Sequence, residues 1–135
     1  MALMQWTEAL SVHIAEIDKQ HQRLIALINQ LDDAINAGND HDVLGAVLDE
    51  LLDYTRTHFS YEENLLKTNA YPDFDGHKAE HDSLTEKVVF LGNYFKQGEN
   101  LNTVQIMQFL KIWLEEHIMG VDRTYAIYLN AKGIF

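Results

Sequence analysis

The stretch VLGAVLDELLDYTRTHFSYEENLL, residues 43–66, decides the fold, because its apolar side chains recur at intervals of three and four positions. This spacing is typical of the buried face of an α-helix, and it predicts a helix that begins near Asp40 and ends near Leu66. The positions predicted to face inward are Val43, Val47, Leu48, Leu51, Leu52, Thr55, His58, Phe59 and Glu62. A histidine and a glutamate therefore share the apolar face of this helix.

The same period runs through three further segments of the chain. The first helix is predicted to have Asp18 as its N-cap and to stop at Gly38. The third is predicted to start just after Asp75 and to end at Gln97-Gly98, and the fourth to start near Thr103. The inward positions are Ile17, His21, Leu24, Ile25, Ile28, Leu31 and Ile35 in the first helix, His77, His81, Leu84, Val88 and Leu91 in the third, and Ile106, Phe109, Leu110, Trp113, Leu114 and His117 in the fourth.

The fold class follows from these segments. A single proline, Pro72, interrupts 135 residues that are rich in helix-forming side chains, so the sequence predicts an all-α fold. Four helices with short connections are typical of an antiparallel up-down-up-down four-helix bundle. We expect a short C-terminal helix, from about Arg123 to Ala131, to pack outside this bundle. The length is that of one domain, which we expect to span residues 1–135.

The composition limits the partners. Asp and Glu number 21 against 10 Lys and Arg, and the net charge of −11 argues against nucleic acid or an anionic membrane. The absence of cysteine excludes disulfides, thiolate zinc sites, iron–sulfur clusters and covalently attached haem. No apolar run approaches the roughly 20 residues that span a bilayer, and no secretory signal is apparent. We therefore expect a cytoplasmic protein without membrane insertion, with a monomer as the default state.

Pairs of potential metal ligands recur four residues apart, first as His58 and Glu62 and then as His77 and His81, so each pair projects from one helix face. The candidate ligands on inward faces are His21, His58, Glu62, His77, His81 and His117. A single histidine on an apolar face is more often a hydrogen-bonded core residue. Several imidazoles and a carboxylate buried without partners would cost about 1–3 kcal/mol each, and coordination of a cation removes that cost.

Asp122 follows His117 by five residues, and about 100° per residue places the two well apart on a regular helix. Gly120 lies between them, so a local π-type widening or a helix end could turn Asp122 inward. Spacing alone leaves this open. His13 and His41 lie away from any paired ligand and are assigned surface or capping roles.

Four blocks of the sequence resemble bacterial hemerythrins, in the family's order and approximate spacing. The blocks are Ile17-Asp-Lys-Gln-His21, His58-Phe-Ser-Tyr-Glu62-Glu, Tyr71-Pro72 followed by His77-Lys-Ala-Glu-His81, and Trp113 followed by His117-Ile-Met-Gly-Val-Asp122. The similarity extends from Trp6 to the region of Asp122. It implies a single hemerythrin-like di-iron domain.

By this resemblance the site holds two iron ions with a bridging oxo or hydroxo group. The ligands it implies are His77, His81 and His117 for one iron, His21 and His58 for the other, and Glu62 and Asp122 as bridges between them. The sequence departs from the common pattern at His13, where a glycine is frequent, and at Leu66, where a methionine is frequent. Neither is a ligand position, so these departures concern the shape of the pocket.

Counting ligands leaves one coordination position open, on the iron of His21 and His58, where the resemblance implies that dioxygen binds. We therefore expect reversible dioxygen binding for transport, storage or supply to an oxygen-consuming partner protein, with no side chain acting as an acid or a base. An apolar shell would protect this site from water. The residues within a turn of a ligand that could form it, or could simply pack the core, are Leu24, Ile25, Leu66, Trp113 and Leu114.

Three other functions remain open. A di-iron oxidase, peroxidase or nitric-oxide-handling enzyme could use the same site, although ferritin-like oxidases carry Glu-x-x-His on each of two helices. No glutamate in this sequence has a histidine three residues later. An oxygen or iron sensor is a second possibility. The third is a metal-free interaction bundle or one with structural zinc, because imidazole and carboxylate donors also suit manganese, zinc or cobalt.

Overall fold

The computed structural model describes residues 4–135, and the predicted helical segments all form helices within them. The helices are α1 (Ala15–Ala37), α2 (Asp40–Thr68), α3 (Phe74–Lys96), α4 (Thr103–Glu116) and α5 (Arg123–Ala131). A single 3-10 turn, Glu8–Leu10, precedes α1, and a π-helical segment, His117–Asp122, joins α4 directly to α5. The prediction of an all-α fold is confirmed.

Helices α1 to α4 form the bundle. α1 packs against both α2 and α4, and α2 packs against α3, in the predicted antiparallel up-down-up-down order. Among residues 4–135, every helix is too short or too polar to cross a membrane. Residues 1–3, which belong to the predicted domain and to the stretch searched for a secretory signal, lie outside the described residues.

The two predicted ends of α1 have different outcomes. Gly38 ends the helix as predicted, because it adopts the left-handed conformation with φ of 78°, which a residue without a Cβ tolerates. The prediction of Asp18 as the N-cap is wrong, since α1 already begins at Ala15. The Asp18 carboxylate instead accepts hydrogen bonds from the Val12 backbone N–H, at 2.8 Å, and from the Ser11 hydroxyl, at 2.6 Å. It fixes the incoming chain against the first turn of the helix.

The C-terminal helix has the predicted bounds. α5 follows α4 directly through the π-helical segment, and one side of it is buried. Its buried residues join the incoming chain and the end of α2 in a second apolar cluster, made of Val12, Ile14, Ile17, Leu66, Tyr125, Ala126 and Leu129. Amphipathic spacing predicts that a helix is half-buried, but it does not indicate which neighbour covers it.

Two apolar clusters therefore divide the interior, and the polar residues lie between them. Along α1 the second cluster supplies Ile17 and the larger main cluster supplies Leu24, with His21 between. Along α2 the order is reversed, from Phe59 in the main cluster to Leu66 in the second. The bundle encloses its polar residues between two apolar layers.

Candidate metal centre

The seven predicted site residues converge between the two clusters. They come from α1 (His21), α2 (His58, Glu62), α3 (His77, His81) and the π-helical segment (His117, Asp122). Each is at most 2% exposed. The four-residue spacing on α2 and α3 brings both members of a pair to the same interior point, as helix geometry predicts.

One group of donor atoms belongs to three histidines and the two carboxylates. The Nε2 atom of His77 lies 2.9 Å from Oε1 of Glu62, and Nε2 of His117 lies 3.0 Å from Oδ1 of Asp122. The Nε2 atoms of His81 and His117 are 3.2 Å apart. The potential ligand atoms of these five residues lie within 4.8 Å of one another, close enough for one ion to contact them all.

The other group contains the remaining two histidines and Glu62, and the second oxygen of Asp122 lies beside it. Oε2 of Glu62 lies 2.6 Å from Nε2 of His58 and 3.4 Å from Nε2 of His21. Oδ2 of Asp122 lies 3.0 Å from the same His21 nitrogen. Each carboxylate thus directs one oxygen to the three-histidine side and the other to the two-histidine side.

A local change of helix type brings Asp122 into this site. Residues His117–Asp122 form a π-helix, whose hydrogen bonds join residues five apart, so that His117 and Asp122 lie on the same side of the chain. This confirms the π-type widening that would turn Asp122 inward. Gly120 does not cause it through special backbone freedom, because its φ is not positive. Among residues 4–135, a Cβ there would meet no atom within 4 Å apart from its chain neighbours and the backbone of its own helical turns.

The buried carboxylates remain ionised. Burial raises the pKa of Glu62, but the charge of His58 and the hydrogen bonds of the surrounding imidazoles outweigh it and hold this pKa well below its ordinary value. Burial and the charge of Glu62 raise the pKa of Asp122, whereas His117 and His21 lower it, and the net effect is a lowered pKa. Two negative charges are therefore concentrated in an apolar interior, where an unpaired charge is costly.

The imidazoles respond to these charges in the opposite direction. Burial lowers the pKa of His21, but the closely placed carboxylates of Asp122 and Glu62 raise it overall, from 6.5 to about 9. The pKa of His117 is likewise raised, because Asp122, Glu62 and Glu80 outweigh the effect of burial. Without another cation, protons on these rings would balance the carboxylates.

Hydrogen bonds within the site do not satisfy its inner atoms. Within residues 4–135, both oxygens of Asp122, Oε2 of Glu62 and Nε2 of His21 are buried without a hydrogen-bond partner, despite their short separations. Donor atoms that face one another at these distances without hydrogen-bond geometry suit ligation by cations placed between them. The donor set fits a pair of metal ions.

The outer nitrogens of three imidazoles have partners. Nδ1 of His81 lies 2.9 Å from Oε2 of Glu63, and Nδ1 of His117 lies 3.4 Å from Oε1 of Glu80. Nδ1 of His58 lies 2.6 Å from the amide oxygen of Gln20. Such contacts fix the ring orientation and leave Nε2 free to bind a metal. Sequence reasoning missed Glu80 and Gln20.

Aromatic rings cover the three-histidine side. Phe59 stacks on His81, and Trp113 stacks on His117 with ring centroids 4.4 Å apart. A small apolar cavity adjoins these rings, lined by Leu24, Ile28, Leu51, Thr55, Phe59, Leu84, Leu110, Trp113 and Leu114. Of the predicted shell residues, Ile25 is buried nearby without lining this cavity, and Leu66 belongs to the second cluster.

Tyr125 is the other polar group beside the site. Its ring lies edge-on to His77, with centroids 5.2 Å apart, and its hydroxyl is fully buried without a hydrogen-bond partner among the described residues. Burial raises the pKa of this phenol well above its ordinary value, and the carboxylates of Glu62 and Asp122 raise it further. Tyr125 therefore stays neutral beside the two anions.

The two histidines assigned elsewhere lie on the surface, as predicted. His13 is exposed in the segment before α1, where it adopts a left-handed conformation with φ of 56°. His41 is exposed in the first turn of α2, with its ring 5.4 Å from that of Phe95. Neither belongs to the two groups of donor atoms.

Comparison with known proteins identifies one family along most of the chain. Residues 12–128 match the family described as the hemerythrin HHE cation binding domain. A bacteriohemerythrin of Methylococcus capsulatus is 37% identical over 132 residues, covering 97% of this chain and 100% of the relative, and one of Stenotrophomonas maltophilia is 35% identical over 131 residues, covering 97% and 84%. A crystal structure of wild-type hemerythrin superimposes with a TM-score of 0.86 at 36% identity, covering 93% of this chain and 96% of that one.

Proposed function

Because the chain belongs to the hemerythrin family, we propose that it binds dioxygen reversibly at a non-haem di-iron centre, for transport, storage or supply of oxygen. In this proposal the centre occupies one domain spanning residues 1–135. The metal ligands are His77, His81 and His117 on one side, His21 and His58 on the other, and Glu62 and Asp122 between them.

The observation that carries the proposal is the unequal division of the histidines. Both carboxylates direct an oxygen to each side, so the inner donor sets of the two sides differ in having three imidazoles or two. A metal ion held by His21 and His58 would have one protein ligand fewer than its neighbour. Two ferrous ions held in this way would supply a vacant coordination position and the electrons for reversible dioxygen binding.

In this proposal the protein holds the metal ions, orients the imidazole rings that bind them and encloses the site. Glu63, Glu80 and Gln20 fix three rings through their outer nitrogens, so that the inner nitrogens point to common centres. The two apolar clusters keep bulk water from both faces of the site. Exclusion of water and protons favours release of the ligand unchanged over its reduction.

Metal content is the first test. We expect two irons per chain after expression in iron-replete medium, and a strong loss of iron in Glu62→Gln and in His77→Gln. Glu116→Gln is the matched control, because Glu116 is an exposed glutamate on the last turn of α4. One zinc and no iron per chain would overturn the proposal in favour of a structural metal site.

Reversibility is the second test, and it separates a carrier from an enzyme. The iron-loaded protein is reduced anaerobically, titrated with dioxygen and then placed under vacuum, while its absorption spectrum is followed. We expect the spectrum of the reduced protein to return. Failure to recover it, or catalytic turnover of a reducing substrate, peroxide or nitric oxide, would favour the oxidase, peroxidase or nitric-oxide-handling alternative. A ligand-driven change in the binding of a second protein would favour a sensor.

A further inference from the structure

The outer partners of the histidines differ in charge between the two sides of the site. On the three-histidine side, His81 and His117 meet carboxylates, Glu63 at 2.9 Å and Glu80 at 3.4 Å. We call Glu63 and Glu80 the outer carboxylates. On the two-histidine side, the partner of His58 is a neutral amide. Within the described part of the chain, Nδ1 of His21 on this side and Nδ1 of His77 on the other both have no partner.

The orientation of that amide is fixed by a second contact. The Gln20 side chain is 8% exposed, and its Nε2 donates a hydrogen bond of 3.1 Å to Oε1 of Glu16. Its oxygen is therefore directed to Nδ1 of His58, from which it accepts. A neutral dipole stands at the position on this side that corresponds to the outer carboxylates on the other.

We propose that Glu63 and Glu80 act as positioning residues that make the metal ion on the three-histidine side the first of the pair to be oxidised. The inference rests on the proposed di-iron function. A carboxylate that accepts a hydrogen bond from an imidazole makes the ring a stronger donor to its metal, and its negative charge favours the higher metal charge. An amide carries no net charge, so it strengthens the ring as a donor less and favours the higher metal charge less. The outer contacts thus add to the effect of the third histidine.

This order has a consequence for ligand binding. The first electron leaves from the three-histidine side, so the half-oxidised pair keeps its ferrous ion between His21 and His58, where the proposed vacancy lies. A single unwanted oxidation would then leave the ligand-binding position ferrous and one electron from full recovery. The outer carboxylates would protect the reduced state of the position that matters for binding.

The two outer carboxylates should differ in strength. Glu63 is the closer and its side chain is only 19% exposed, whereas the Glu80 side chain is 45% exposed at the longer distance. Water screens an exposed charge more strongly than a buried one. We therefore rank Glu63 above Glu80 in its effect on the first oxidation.

The test measures the two one-electron potentials of the iron-loaded protein by spectroelectrochemistry, each step removing one electron from a ferrous ion. Glu63→Gln should make the first oxidation harder by about tenfold in its equilibrium constant, or about 59 mV. Glu80→Gln should shift it in the same direction by less. Glu116→Gln, an exposed carboxylate without a histidine contact, is the control and should leave both steps unchanged.

Exchanging the side chains at positions 16 and 20, on the two-histidine side, tests the direction of the shift in potential. The double variant Glu16→Gln with Gln20→Glu keeps the net charge and allows the same hydrogen bond between positions 16 and 20, but it places a carboxylate on His58. Compared with Glu16→Gln alone, it should make the second oxidation easier and narrow the gap between the two steps. A merely structural role would not shift opposite steps in opposite directions.

The outcomes separate this inference from the proposed function. If each variant holds two irons and binds dioxygen reversibly, yet both potentials stay within error of the wild type, the inference is overturned and the proposed function stands. If the wild-type chain does not hold two irons, both are overturned. If Glu63→Gln loses iron, the Glu80 variant and the swap still decide the matter.

Discussion

The Phe59 ring lies flat against the imidazole of His81, with 3.6 Å between ring centroids and 2° between ring planes. Phe59 belongs to the main apolar cluster, and His81 belongs to the candidate metal centre. The contact therefore joins the packing of the core to the orientation of a proposed ligand. Changes in this part of the core should affect both stability and metal binding.

Truncating Phe59 tests that coupling. Phe59 is 4% exposed, so we expect Phe59→Ala to lower the free energy of unfolding by about 3–5 kcal/mol, through lost burial and the cavity left behind. The control is Phe90→Ala, because Phe90 is 56% exposed and its loss should change stability by no more than about 0.5 kcal/mol. Urea denaturation of the metal-free protein measures both. Equal effects of the two substitutions would contradict the assignment of Phe59 to the core.

The stability of the metal-free protein should fall as the pH rises. The folded protein raises the pKa of His21 from 6.5 to about 9, so the protonated ring is favoured by folding. Its contribution is fully present below pH 6.5 and is lost as the pH rises through about 9. Over that range we expect the free energy of unfolding to drop by about 3 kcal/mol, as measured by urea denaturation.

Two variants test whether His21 causes this pH dependence of stability. His21→Gln should flatten the slope, whereas His13→Gln should retain it, because His13 is exposed outside the site. Metal affinity should show the opposite trend and rise over the same range, since a metal binds the neutral imidazole. The part of the slope that survives in His21→Gln is expected from His117, whose pKa is also raised. An unchanged slope would contradict the role of His21.

His13 stands at a position where the family frequently has a glycine, and its positive φ is a conformation that favours glycine. A φ of 56° costs a residue with a Cβ about 1–2 kcal/mol. Replacing His13 by glycine removes this cost, but the greater conformational freedom of glycine in the unfolded chain offsets part of the gain in stability. We expect His13→Gly to raise the free energy of unfolding by up to about 1 kcal/mol. Thermal and urea unfolding measure it.

The matched control introduces glycine where the backbone is already helical. Ala46→Gly, on the exposed side of α2, should lower the free energy of unfolding by about 1 kcal/mol. Both variants add one glycine, so opposite signs would attribute the difference to local backbone conformation. A destabilising His13→Gly would mean that the His13 side chain makes a contribution larger than the backbone strain.

The sequence predicts best what depends on regular helical spacing. The start of α4 at Thr103 and the end of α1 at Gly38 agree with the structure, because periodicity and a left-handed stop are local properties. The convergence of His58 with Glu62 follows from the same geometry. These features require no knowledge of how the helices are arranged in space.

What the sequence does not predict depends on contacts between separate segments. Gln20 on α1 contacts His58 on α2, and Glu80 on α3 contacts His117 in the π-helical segment. Neither contact can be predicted from the spacing of residues within one helix. The wrong N-cap at Asp18 has the same origin, because that side chain binds the chain before the helix. Gln20 could have been predicted as a hydrogen-bond partner in the site. It precedes the inward-facing His21, and a buried side-chain amide needs a hydrogen-bond partner.

The apolar cavity beside the rings gives a prediction about oxygen entry. Leu114 is 4% exposed and lines this cavity, so Leu114→Ala should enlarge the space beside the site and raise both the dioxygen on-rate and the autoxidation rate several-fold. Leu31→Ala is the control, because Leu31 is fully buried in the same cluster but does not line the cavity. Each should cost about 2–5 kcal/mol of stability. Stopped-flow mixing with dioxygen measures the rates, and unchanged rates in Leu114→Ala would remove its role in gating.

The π-helical segment gives the sharpest test of how Asp122 reaches the site. Deleting Gly120 would place His117 and Asp122 four residues apart, the spacing that brings His58 and Glu62 to one face of an ordinary α-helix, so the π-helical turn would no longer be needed. His117 would keep its place, and the carboxylate and α5 would keep nearly the same orientation. We expect the deletion to leave the binding of two irons intact, as measured by elemental analysis.

Substituting the same glycine is the matched control. Gly120→Ala keeps the number of residues. Among residues 4–135, the added Cβ would meet no atom within 4 Å apart from its chain neighbours and the backbone of its own helical turns. We expect full iron content and a gain in stability of up to about 1 kcal/mol, because alanine favours helical backbone more than glycine does. Loss of iron in Gly120→Ala would mean that the π-helical turn depends on glycine itself. Loss of both irons after the deletion would mean that Asp122 needs the π-helical turn itself to reach the metals.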